Sequence, residues 1–176
     1  MSRWGDAGPP QEAYSRVTDP GRFASLHEIG RQAVADLITG FDVRWYRFTT
    51  ADRHEAVLIT PADPAAAPLT VEFTAFPGLV LRFGLTEAYL PVCGCDACDD
   101  SVPGLADELH GMLDYLTAGT FGDRLEFEDD AWWHVGWYRG SAGTGGSRSR
   151  LTADRFAELR GLIPDAGLDF APWPVG

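Results

Sequence analysis

A chain of 176 residues and 19.2 kDa with 14 basic against 26 acidic side chains, a formal net charge of −12, has the length of one compact domain and needs no covalent staples. Hydrophobic residues at 45% and charged residues at 23% exclude a disordered, collagen-like or coiled-coil chain. All 14 basic residues are arginine, which excludes lysine chemistry such as a Schiff base or a P-loop amine, and the excess of carboxylates repels nucleic acid and suits a cation or a basic protein partner.

The opening Met1-Ser2-Arg3-Trp4-Gly5-Asp6 lacks the apolar stretch of a signal peptide, and no apolar run reaches the roughly 18 residues of a membrane span. A cytoplasmic protein with no membrane partner is expected. Residues 1–17, rich in Gly, Pro and polar side chains, read as a flexible arm, and residues 18–176 as a single α+β domain. Thr18-Asp19-Pro20 predicts a helix start, with Thr18 or Asp19 as cap and proline in the first turn. Phe23, Leu26, Ile29, Ala33, Val34, Leu37 and Ile38 then recur at helical spacing up to Gly40.

From Phe41 the period changes to two. Val43 to Thr49 and Ala56 to Ile59 carry the β-branched and aromatic residues of strands. Leu69 to Ala75 and Leu79 to Leu85 alternate in the same way around Pro77-Gly78, which predicts a hairpin. Leu105, Leu109, Met112, Leu113 and Leu116 mark a second amphipathic helix ending near Gly119. Strand patterns resume over Arg124 to Glu128 and Trp132 to Tyr138, across an acidic turn at Asp129-Asp130. Gly140 to Ser149 reads as a flexible surface loop, with Arg148 and Arg150 weighed as anion contacts, and a short C-terminal helix follows over Thr152 to Leu162. Strands joined by hairpins, with helices before, between and after them, predict an antiparallel sheet of about six strands carrying two main amphipathic helices.

All three cysteines of the chain fall in Cys93-Gly94-Cys95-Asp96-Ala97-Cys98. Three thiols in one hexapeptide cannot tie distant loops together by disulfides. They can converge on one metal ion, because Gly94 permits a tight curl and the Cys95-x-x-Cys98 spacing is that of a zinc knuckle. Sulfur donors favour Zn2+. The fourth ligand of a structural site is sought among His27, His54, His110 and His134 or the carboxylates Asp96, Asp99 and Asp100, and His110 is chosen although it lies two turns up the second helix. Thiol chemistry at Cys95 and Cys98 is the rival, opposed by the neighbouring aspartates, whose charges raise a thiol's pKa. Asp99-Asp100-Ser101 also reads as a helix N-cap. Trp132, Trp133, Trp137 and Tyr138 place aromatics on both faces of one strand, with His134 among them.

The octapeptide Cys93-Gly94-Cys95-Asp96-Ala97-Cys98-Asp99-Asp100, together with Tyr14-Ser15-Arg16-Val17-Thr18-Asp19-Pro20-Gly21-Arg22-Phe23, resembles a family of small actinobacterial proteins of unknown function over about positions 14 to 140. The resemblance implies no activity, substrate or ligand. The residues themselves lead to a non-catalytic binding or interaction module with a structural zinc site at Cys93, Cys95, Cys98 and His110. A zinc- or thiol-dependent enzyme, or an acidic immunity or inhibitor-type partner of a basic protein, are the alternatives.

Overall fold

The computed structural model describes residues 4–5, 8–98, 100–140 and 143–176. A 3-10 turn over Pro20–Phe23 leads into helix α1, Ser25–Gly40. Neither expected cap forms: the Asp19 side chain makes no capping bond, and Thr18 turns instead towards Asp96. Of the predicted stripe, Leu26, Ala33, Val34 and Leu37 are buried.

Strands β1 (Val43–Thr49), β2 (Glu55–Pro61), β3 (Leu69–Thr74), β4 (Gly78–Phe83) and β5 (Thr86–Leu90) form one antiparallel sheet in sequence order. Register aligns Val57 with Val71 and Val71 with Leu81, and likewise Ile59 with Leu69 and Leu69 with Phe83. These rows make the buried face on which α1 packs, chiefly against β4, β3 and β1. Helix α2, Val102–Thr117, then carries the chain to a second antiparallel sheet of β6 (Phe121–Glu128), β7 (Ala131–Gly140), β8 (Gly143–Arg150) and β9 (Leu168–Asp169), in the order β8-β7-β6-β9. Helix α3, Ala153–Arg160, lies between β8 and β9 in the chain. The α+β class and the three helices agree with expectation, whereas the single sheet of about six strands is corrected to two sheets of five and four. The helix inserted between β5 and β6 separates them. It packs on α1 on one side and on β7 on the other, so both sheets share one apolar core.

The segment expected as a flexible loop is strand β8 for its described part, while Ser141 and Ala142 lie outside the described residues. Its glycines serve close approach. A Cβ at Gly145 would stand 2.4 Å from the Tyr138 hydroxyl, and one at Gly146 only 2.3 Å from the Gly136 carbonyl oxygen. Arg148 does not face an open anion site, since it pairs with Glu128 and lies 4.3 Å over the Trp133 ring. Trp132 stacks on Phe156 of α3 at 4.5 Å.

On the other face of β3, Glu72 is only 5% exposed, with Arg82 Nη1 donating to Oε2 at 2.7 Å and His54 Nδ1 lying 2.7 Å from Oε1. Burial alone pushes this carboxyl up, but the bonds to Arg82 and His54 together outweigh it and hold the group below its ordinary 4.5. A carboxyl with a lowered folded pKa contributes stability that is present above the unfolded value and is lost as pH falls through the folded one. Glu72→Gln therefore costs about 2 kcal/mol near neutrality, and urea denaturation shows the gap to the parent protein closing as pH falls below the ordinary carboxyl value of 4.5 and through the lowered folded one.

Candidate metal centre

The loop that joins β5 to α2 holds the three thiols. Cys93, Cys95 and Cys98 bring their sulfurs within 4.8 Å of one another, and Cys95 and Cys98 Sγ are 3.5 Å apart. Cys93 is exposed, Cys98 half-buried and Cys95 buried. Gly94 makes the curl with φ of 72°, and a side chain there would collide with Phe76, 2.7 Å from the Cβ position. Glycine is required at that point by both backbone and space.

The loop is held from the N-terminal side. Residues Gln11–Ser15 form a 3-10 helix whose Ala13 is fully buried against Cys95 and Ala97. The Asp96 N–H donates to the Arg16 carbonyl at 2.8 Å and the Ala97 N–H to the Ala13 carbonyl at 3.1 Å. In return the Asp96 carboxylate accepts from the Thr18 hydroxyl, from the Thr18 N–H at 2.9 Å and from Arg16 Nε at 2.8 Å. Arg22 Nη2 donates to the carbonyls of Gly94 and Cys95 at 3.2 and 3.0 Å. Arg16, Thr18 and Arg22 thus support the loop, a role that no local spacing announces.

These contacts correct the electrostatic expectation. Bonds from the Thr18 side chain and backbone, then from Arg16, hold the Asp96 carboxyl well below the usual range, so its charge is met by these partners. Cys95 is lowered to about 7, first by its hydrogen bond with Cys93 and then by bonds from the Cys98 thiol and the Cys98 and Ala97 amides, which together exceed the opposing effect of burial. Cys98 is pushed up to about 12 by the bond to Cys95, by burial and by Cys93. The lowered Cys95 thiol lies among three close sulfurs, and a thiolate is the species a soft cation binds.

Of the expected fourth ligands, none of the histidines joins the three sulfurs among the described residues. His110 lines a groove between α1 and α2 with Asp36, Leu37 and Phe41. His27 meets the Gly78 carbonyl at 3.1 Å, His54 meets Glu72, and His134 Nε2 lies 2.8 Å from Oδ1 of buried Asp123. Asp96 is engaged as described, and Asp99 lies outside the described residues. Ser101 caps α2, its hydroxyl accepting from the Gly104 N–H at 3.3 Å. Ser101→Ala is expected to cost about 1 kcal/mol in chemical denaturation.

No helix among the described residues is long and apolar enough to cross a membrane. The family model of DUF6226, a family of unknown function, matches residues 1–176, and the chain belongs to that family. No curated protein and no solved structure matches it.

Proposed function

We propose that the protein is a non-catalytic binding module that holds one zinc ion on the thiolates of Cys93, Cys95 and Cys98. The observation that carries this reading is the approach of three sulfurs within 4.8 Å of one another. Zinc with Zn–S bonds of roughly 2.3 Å in tetrahedral geometry spaces its sulfurs about 3.8 Å apart, so the pair already at 3.5 Å is seated and the third has a short way to close. The fourth position goes to a loop carboxylate or to water, because His110 would have to leave the α1 and α2 groove to reach it. Zinc here fastens a loop that four separate N-terminal residues already grip.

Elemental analysis of protein purified in reducing buffer tests the reading. About one equivalent of zinc, falling to a small fraction in Cys95→Ser, supports it; less than about a tenth of an equivalent in the parent protein refutes it. A second reading, a thiol-dependent activity, is favoured by the lowered Cys95 thiol beside Cys98. It requires Cys95 to be alkylated by iodoacetamide faster than a simple thiol in the protein as purified, which a zinc-bound sulfur is not. We further place the protein in the cytoplasm, and its charge of −12 favours a basic protein over nucleic acid as partner.

A further inference from the structure

A second concave site lies away from the thiols, where α2 meets the β7–β8 hairpin. It is a cavity of about 340 Å³ whose walls include Asp107, Glu108, Gly111, Met112, Tyr115 and Tyr138. One wall is anionic: Asp107 and Glu108 are consecutive on α2, and burial together with the charge of Asp100 pushes the Glu108 carboxyl up. The other wall is aromatic, with Tyr115 and Tyr138 stacked at 4.7 Å and 24° between planes. Tyr115 is only 9% exposed, so its ring is a fixed part of the wall. Among the described residues, none that lines the cavity is basic.

We propose that this pocket takes the guanidinium or ammonium group of a basic side chain presented by a protein partner. Each wall selects for that chemistry. Carboxylates form charge-assisted bonds with N–H donors, and an aromatic face attracts a cation held against it. An anion is repelled by Asp107 and Glu108, while a neutral apolar chain gains nothing from either carboxylate. A strongly hydrated metal ion gains nothing from the tyrosine stack, whereas guanidinium sheds water readily and lies flat on such a surface. The volume falls in the range of small-molecule sites, and the overall charge of −12 draws a basic partner towards the opening. No residue of the pocket belongs to the thiol loop, so its occupancy and the zinc content are read separately.

Isothermal titration of the full chain with N-acetyl-arginine amide, N-acetyl-norleucine amide and an arginine-rich peptide tests the proposal. The expected result is saturable binding of both arginine probes, the peptide more tightly, with no binding of the norleucine amide and with affinity falling as salt rises. Two variants keep the test independent of folding. Asp107→Asn with Glu108→Gln removes the charge in near-isosteric form. Gly111→Leu fills the pocket from a helix position where an added Cβ meets nothing within 4 Å, and where replacing glycine favours the helix. Each is expected to weaken the peptide at least about tenfold. Failure of both arginine probes to bind, equal binding of the norleucine amide, or affinity unchanged in both variants overturns the pocket. Binding of the amide without the peptide overturns the protein partner.

Discussion

With zinc on the thiol loop as proposed, chelation is expected to expose the bond after Arg16 to trypsin and to lower the unfolding midpoint on the order of 10 °C. The reason is the two-way tie between loop and N-terminal segment. Asp96 and Ala97 donate backbone N–H groups to the carbonyls of Arg16 and Ala13, and the Asp96 carboxylate collects Thr18 and Arg16. These bonds depend on the curl of Cys93 to Cys98, which a metal on the three sulfurs, as proposed, would fix. Binding energy at such a site is folding energy, and for isolated zinc-binding peptides it amounts to about 10–16 kcal/mol. Here part of the loop is held by Arg22 as well, so a loss of several kcal/mol is the reasonable expectation. Since every basic residue is arginine, trypsin has few sites, and cleavage after Arg16 is easily resolved by mass spectrometry. Arg16 cut at equal rates in chelated and zinc-loaded protein would show that the segment is held without the metal. Asp96→Asn offers the converse test: it spares all three sulfurs, so zinc content persists while Arg16 becomes a faster site.

How far such a site is legible in the residues depends on whether its information is local. The cysteine cluster spans six positions and is visible at once, and the helical stripes of α1 and α2 follow from spacing alone. The grip on the loop is different. Asp96 meets Arg16 and Thr18 across 80 and 78 positions, and local reading assigns Thr18 to a helix cap and Asp96 to the charge that burdens the thiols. Both assignments fail for one reason, that these two residues satisfy each other. Strand β8 was hidden by glycines that read as flexibility, although Gly145 and Gly146 are there because Tyr138 and the Gly136 carbonyl occupy the space of a side chain. Alternation locates strands but carries no information on which ones pair, so the division into two sheets was out of reach. The Tyr115 and Tyr138 wall is hidden likewise, since a helix and a hairpin must meet to make it.

That both sheets behave as one unit follows from Phe121, and its truncation carries the second large effect. The ring is 3% exposed on β6 and touches three elements: Phe83 of β4 edge-on at 5.3 Å, Tyr115 of α2 at 6.0 Å, and Phe170 after β9 stacked at 4.7 Å. No other aromatic in these contacts joins the first sheet, the connecting helix and the C-terminal segment together. Phe121→Ala removes a buried ring and leaves a void walled by three aromatics that cannot all collapse into it, a cost of about 3–5 kcal/mol. Against a total of roughly 5–15 kcal/mol for a domain, that is a large share of the stability. Phe121→Leu keeps most of the volume and costs about 1.5 kcal/mol or less. The expected thermal trace of Phe121→Ala is a single transition displaced downward by on the order of 10 °C, because weakening the joint lowers a state in which both sheets fold together. Two separate transitions, with the one belonging to β1–β5 unmoved, would instead mean that the first sheet with α1 folds alone and the second sheet merely docks on it. The core argues for the former, since Leu109, Met112, Leu113 and Leu116 of α2 are buried among residues of the first sheet while the same helix packs on β7 of the second.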